Sequence, residues 1–288
     1  MTTTLTPEPT DAAEIVRDWP LPDTGVPVAA RSRLAWAVSD TLAIAGRNLI
    51  TLVRLPQLLV FSTIQPVIFV LLFRYVFGGA IETGGDYVDF LMPGIFVQTV
   101  TFGAVNTGIG LADDLGKGLI ERFRSLPMAR SAVLAGRTTA DLVRDVFVVL
   151  LMLAVGFAVG FRLHTNVLAL VAGIGVLLLF AFALAWVFAL IGLGASNGES
   201  AQAASFPIVA ALVFASSAFV DVNRMPEWLQ GFASHQPVSV TVNAVRGLLV
   251  DYPPGGDTSW QVVQSVGWSV LIIAIFAPLA VNKYRKAA

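Results

Sequence analysis

VLALVAGIGVLLLFAFALAWVFALIGLG, residues Val167 to Gly194, is a run of 28 residues without one charge. The hydrocarbon core of a bilayer is about 30 Å thick, so about 20 apolar helical residues cross it. The run is long enough for that and far too long for a membrane-barrel strand of about ten residues. Lipid offers no partner to an open backbone group, so a stretch of this kind must be helix.

Working outward, only Arg162 to Asn166 separates this run from an earlier one, Leu142 to Phe161, so the two form a helical hairpin. Four further apolar stretches run from Gln57 to Phe77, Tyr87 to Leu111, Ala201 to Val220 and Ser259 to Val281. The expectation is an all-α membrane protein with six transmembrane helices. Composition agrees. Apolar residues make up 56% of the chain and charged residues 13%, where a soluble domain carries about 25%. Mean hydropathy is +0.77. Such a chain cannot cover its surface with charge. A formal net charge of −1 gives no footing for nucleic acid. There is no cysteine, hence no disulfide, thiolate nucleophile or Cys-based metal site. The two histidines, His164 and His235, stand far apart and supply little for a metal.

Residues 1–30 are rich in Thr, Pro, Asp and Glu. They lack the basic and apolar regions of a signal peptide and read as a disordered or loosely attached cytoplasmic tail. Orientation follows from the basic residues. With the N-terminus inside, the inner side holds Arg17, Arg31, Arg33, Arg47, Arg54, Lys117, Arg122, Arg124, Arg130, Arg137, Arg144, Lys283, Arg285 and Lys286. The outer side holds Arg74, Arg162, Arg224 and Arg246. Fourteen against four places both termini in the cytoplasm.

Three segments outside the spans carry further signals. In residues 34–55, Leu34, Val38, Leu42, Leu49 and Val53 follow helical spacing, while Arg33, Asp40, Arg47 and Arg54 recur every seven residues on another face. This is an amphipathic helix for the inner interface, ended by Pro56. In residues 118–128, GLIERFRSLPM, an apolar face of Leu119, Ile120, Phe123 and Leu126 opposes Glu121, Arg122, Arg124 and Ser125. Such a helix can rest on the membrane or plug into a soluble partner. The stretch from Asp221 to Asp257 is too long for a plain connector. Pro226, Trp228 and Leu229 mark one short helix, and Pro237 opens a second that runs to Val250. They read as re-entrant half-helices, which survive at membrane depth only where protein or a water-filled cavity covers them. Arg246, among apolar neighbours, either snorkels to the outer headgroups or meets a carboxylate or helix C-terminal carbonyls, with Asp221 and Asp251 as candidates.

The chain lacks the chemistry of an enzyme. A Walker A loop is G-x-x-x-x-G-K-[ST]; here Leu111 stands at the first Gly before Lys117, and Gly118 at the hydroxyl position. H-E-x-x-H is absent. The spans are read as almost free of ionisable groups, with Arg74 and Asp89 near outer ends. Their polar residues are neutral: Ser62, Thr63 and Gln65 in the first; Gln98, Thr99, Thr101, Asn106 and Thr107 in the second; Ser205 in the fifth. Gln65, Gln98 and Asn106 would be costly against lipid. They either bond between helices or line a substrate path. Pro66 and Pro93 are expected to kink their helices.

Four segments carry a resemblance: FRYVFGGAI (Phe73–Ile81), YVDFLMPGIFVQ (Tyr87–Gln98), GLIERFRSLPMARSAVLAGR (Gly118–Arg137) and MPEWLQGFASHQPVSVTVNAVRGLL (Met225–Leu249). They resemble the membrane subunit of type-2 ABC exporters, in the daunorubicin-resistance branch, from Leu34 to the C-terminus. The resemblance implies a pore of two permease subunits, a homodimer or heterodimer, in a bacterial plasma membrane. Each subunit docks on a separate ABC ATPase, two copies per transporter, which binds ATP and Mg; this chain binds no cofactor. It implies that residues 118–128 are the coupling helix, with Leu119, Ile120, Glu121, Arg122, Phe123 and Arg124 at the ATPase. It implies that residues 34–55 are the connecting helix and that 221–250, with Pro226, Trp228, Pro237 and Arg246, are extracellular re-entrant helices within a permease domain of 31–288. The cargo would be a hydrophobic or amphipathic drug, natural product or lipid. A glycan- or polyprenyl-lipid exporter would share the architecture. A secondary carrier would need carboxylates at mid-membrane.

Overall fold

The computed structural model describes residues 33–54, 56–78, 86–117, 130–251 and 257–287. Among them there is no strand. The helices are α1 (Arg33–Arg54), α2 (Pro56–Leu72, continued as a π-helical turn Phe73–Phe77), α3 (Tyr87–Gly116), α4 (Arg130–Val159), α5 (Val167–Gly192), α6 (Gly198–Phe214), α7 (Glu227–His235), α8 (Pro237–Val250) and α9 (Thr258–Ala287). Side chains set several of the starts. Asp86 Oδ1 accepts from Val88 N at α3, Asn166 from Ala169 N at α5 and Asn197 from Ser200 N at α6, each satisfying an orphan N–H of a first turn.

Four helices are long and apolar enough to cross a membrane: α3, α4 from Leu134, α5, and α9 to Arg285. The helix in the stretch expected from Ala201 to Val220 ends earlier than expected. α6 stops at Phe214 after 17 residues, about 26 Å of helix. The chain turns there because α8 takes up the end: Gln236 Nε2 donates to Leu212 O and Ala215 O at 2.7 and 3.1 Å, and Ser217 N donates to Ser239 Oγ at 3.0 Å. The hairpin α4–α5 is present, but α4 begins at Arg130 rather than Leu142. The interfacial helix read at 34–55 is α1. It packs against protein as well as any lipid: Ile44 and Ala45 are buried, and Ile44 joins an inner-end apolar cluster with Leu111, Leu134, Trp186 and Tyr284.

α3 is the axis of the bundle. Of its most apolar window 83% is buried, against 17% for α9. Its contact with α5 is backbone on backbone. A Cβ at Gly108 would overlap Phe188 O, and one at Gly192 would overlap Gly108 O. Small residues allow this approach, and close van der Waals packing is what holds helices together where lipid removes the hydrophobic drive.

At the outer end α8 is almost wholly buried, whereas α7 exposes Trp228 and Phe232. Residues 1–30 and the segment 118–128 lie outside the described residues, and with them Leu119, Ile120, Glu121, Arg122, Phe123 and Arg124.

Candidate functional site

A cavity of about 550 Å³ opens between α1, α2, α3, α4 and α6. Gln65 of α2 and Gln98 and Asn106 of α3 all line it. Three amides chosen from two separate stretches of sequence therefore meet at one place. Asn48 of α1 and Gln202 of α6 add two more polar groups, and Phe102, Val105, Ile109 and Phe206 supply apolar wall.

The fourth wall was not foreseen. Asp141, Arg144 and Asp145 of α4 also line the cavity. The sequence reading placed Arg144 in an inner loop and the spans almost free of charge. The expected span from Leu142 already contained Arg144 and Asp145, and because α4 starts twelve residues earlier both stand near mid-helix. Arg144 is the fifteenth of its thirty residues, and Gly103, which it reaches, is the seventeenth of thirty in α3. Arg144 and Asp145 are 9% and 6% exposed. Arg144 Nη1 donates to Asp141 Oδ1 at 3.2 Å, Nη2 to Asp145 Oδ1 at 3.1 Å and to Gly103 O at 3.0 Å. Thr107 Oγ1 closes the set by donating to Asp141 Oδ2 at 2.5 Å. Every buried charge here has a partner, the condition under which ions persist in an apolar bundle. The signal in the sequence was the spacing itself: acids at 141 and 145 flank Arg144 within one helical turn.

The other polar span residues behave differently. Thr99 and Thr101 donate to Ile95 O and Val97 O of their own helix, and Ser205 to Ala201 O. Of the hydroxyls singled out, Thr107 is the one shown bridging two helices.

Ionic contacts also gather at each end. At the end of the bundle where α3 finishes, Asp114 of α3 bonds Arg137 of α4 at 2.5 Å and lies 4.0 Å from Arg47 of α1. Its neighbour Asp113 accepts from Gly198 N, the first residue of α6, at 3.0 Å. At the end where α3 begins, Arg74 pairs with Asp86 at 3.3 Å, and Asp89 accepts from Arg162 N at 3.0 Å. Arg246 of α8 is 2% exposed. Its Nε donates to Phe90 O at 3.1 Å, Nη2 to Ser217 O at 2.9 Å and Nη1 to Asn243 Oδ1 at 3.1 Å, with its guanidinium carbon 3.8 Å from the centre of the Phe90 ring. Main-chain oxygens of α3 and of the turn after α6 thus hold it. The two proposed carboxylates are placed otherwise: Asp221 accepts from Asn223 N, and Asp251 caps α8 in a left-handed conformation. Pro226 caps α7, Pro237 opens α8, and Trp228 is 81% exposed; these three lie away from the cavity lining.

The arrangement is a polar cavity at half-height in an apolar bundle, with an ion cluster at its wall. Residues 39–250, a stretch that includes every residue lining the cavity, match the model of the ABC-2 type transporter. The chain belongs to the ABC-2 type transporter family. Among similar proteins is the daunorubicin resistance ABC transporter permease protein DrrB1 of Streptomyces coeruleorubidus, 35% identical over 256 residues, 88% of this chain and 89% of that one. The probable doxorubicin resistance ABC transporter permease protein DrrC of Mycobacterium tuberculosis is 26% identical over 254 residues, 87% and 90% of the two chains. The putative transport permease ycf38 of Porphyra purpurea is 26% identical over 238 residues, 80% and 78%. This ABC-2 chain is a multi-pass membrane protein and a permease subunit of an ABC transporter. The family match ends at Val250 and so leaves α9, the least buried of the four long apolar helices, outside it.

Proposed function

We propose that the chain is the permease of an ATP-driven exporter that moves a hydrophobic or amphipathic compound, a drug, natural product or lipid, out of a bacterial cell. The observation that carries this reading is the cavity. It offers about 550 Å³ walled by amides, aromatics and charge, within the usual range for small-molecule sites. Drug resistance in the names of the similar permeases supports the same cargo class. In this reading α2, α3, α4, α5, α6 and α9 are six spans, residues 31–288 form the permease domain behind a cytoplasmic tail at 1–30, and both termini face the cytoplasm. Removing Arg144 and Arg246, both buried in the bundle, changes the charge asymmetry from fourteen against four to thirteen against three, the same sign. α1 acts as connecting helix and residues 118–128 as coupling helix. Residues 221–250 are the extracellular re-entrant region. Two identical permeases pair, each with one ABC ATPase that holds ATP and Mg. ATP binding on the partner favours one arrangement of the permease helices by as much as its differential affinity allows.

In proteoliposomes, the chain together with its ABC ATPase should move a hydrophobic dye when Mg and ATP are supplied, and the chain alone should neither hydrolyse ATP nor move dye. ATP hydrolysis by a preparation free of other proteins would overturn the reading. Phe123→Ala should weaken co-purification of the ATPase by a penalty of about 2 kcal/mol, as for an interface anchor, with membrane insertion retained.

A further inference from the structure

We infer that the π-helical turn Phe73–Phe77 is a register switch, through which α2 moves against a rigid block made of α3, α6 and α8. This rests on the proposed ATP-driven motion of the permease helices and adds the place where that motion occurs.

The block is defined by its bonds. Gln236, Ser239, Asn243 and Arg246 recur at steps of three, four and three residues, one face of a helix. All four grip the end of α6. Gln236 Nε2 donates to Leu212 O and Ala215 O, and Ser239 Oγ accepts from Ser217 N. Asn243 Oδ1 accepts from Ser217 Oγ at 2.9 Å, and Arg246 Nη2 donates to Ser217 O. Arg246 Nε carries the line on to Phe90 O of α3. A Cβ at Gly94 of α3 would overlap Ala218 O, so main chain meets main chain there as well. Hydrogen bonds weaken steeply when bent or stretched, and five of them along one stripe hold α3, α6 and α8 in one geometry.

α2 meets this block in another way. Phe73 lies flat on Phe219, ring centres 4.5 Å apart and planes 9° apart. Phe69 stands 6.0 Å from Phe219 and 6.3 Å from Phe214. Stacked rings tolerate offsets and fix no donor–acceptor line, so they slide where the polar stripe of α8 cannot. The ion pair of Arg74 with Asp86 is exposed, and exposed pairs hold weakly.

The turn supplies the movement. π-helical turns are rare, recur at functional sites and kink the helices that carry them. This one continues α2 directly, and Gly78 closes it at a helical φ of −59°. A Cβ at Gly78 would overlap Arg74 O, so this register requires glycine there, whereas a regular α-helix has room for a Cβ at every position. Rewound as α-helix, the turn shifts by one residue, about 1.5 Å along the axis and about 100° around it. That takes Phe73 off Phe219. Two packings of α2 on the block are thus one residue of register apart.

The chain has no cysteine, so thiol pairs can be placed without background. Dibromobimane, which fluoresces on bridging two thiols, is applied to the permease–ATPase complex in proteoliposomes, without nucleotide and after trapping with Mg, ATP and vanadate. The seam pair, Phe73→Cys with Phe219→Cys, should bridge at least about fivefold more slowly in the trapped complex, the low end of ordinary coupling between sites. A second seam pair, Phe69→Cys with Phe214→Cys, should follow it, and either pair alone decides if the other does not assemble. The block pair, Ser217→Cys with Ser239→Cys, should bridge at one rate in both conditions. Gly78→Ala, which suits the α-helical register alone, should hold the seam pair at the slow rate throughout. Equal seam rates in a complex that hydrolyses ATP overturn the inference and leave the exporter reading standing. A block pair that slows together with the seam also overturns it, as does a seam that still responds to ATP in Gly78→Ala. A complex that hydrolyses no ATP overturns the exporter reading and the inference resting on it.

Discussion

α3 and α9 are each thirty residues long, and both are apolar enough to cross a membrane, yet one is 83% buried and the other 17% over its most apolar window. The difference follows composition in the direction opposite to that of a water-soluble protein. α3 carries Gln98, Thr99, Thr101, Asn106 and Thr107 and is wrapped by protein. α9 presents Val263, Val270, Leu271, Ile275 and Leu279 outward. In lipid the polar and small residues mark the interior, because only protein can pair or accommodate them, while a uniformly apolar helix can remain outside. Hydropathy says that a helix enters the bilayer; its polar content says how much of the helix meets lipid.

The sharpest way to break this contrast is at the tightest contact of α3. Gly108→Leu would force a side chain into the Phe188 main chain of α5, and no rotamer avoids a backbone. The expected loss is at least about 3 kcal/mol, the upper range of overpacking, read as a collapse of the monodisperse peak after mild heating in detergent. Recovery of a wild-type melting temperature would mean that α3 and α5 do not touch there. Next is the clamp from α8. Arg246→Ala removes the guanidinium bonds to Phe90 O and Ser217 O, a loss of about 2 to 3 kcal/mol for bonds to a charged group, and Arg246→Lys should not restore it because an ammonium lacks the planar fork. Thermal unfolding of both variants checks this, and an unchanged melting temperature for the Ala variant would show the clamp to be idle. Least of all should change on α9. Leu271→Ala, at an outward position, should move stability by no more than about 0.5 kcal/mol. A loss of several times that would reveal a protein surface covering this face.

The same contrast decides what could be read in advance. The uniform run gave α5 to within two residues, and α9 starts one residue before the expected Ser259, though that helix runs six residues past the expected Val281. The amides of α2 and α3 were legible as groups needing cover, and they meet at the cavity. α4 was misjudged because Arg144 was counted with the basic residues of a loop, and its acidic neighbours Asp141 and Asp145 were passed over. In three dimensions they offset one another and borrow Gly103 O and Thr107 from α3, partners 34 and 41 residues away in the chain. Long-range partners of that kind leave no local signature. The shortness of α6 was hidden for the same reason, since the groups that end it belong to α8.

The wrapped position of α3 has a consequence for the order in which the protein is made. α3 leaves the ribosome before α4, α5, α6 and α8, the helices that cover it. It enters the membrane while its interior face is still bare. Thr99 and Thr101 are ready for that moment, since their hydroxyls bond to carbonyls of α3 itself and need no neighbour. Thr107 must wait for Asp141 of α4, the Gly108 surface for α5, and Phe90 O for Arg246, which comes more than 150 residues later. Synthesis therefore exposes the least lipid-compatible helix longest, and the contact that finishes the bundle around it is among the last to be translated.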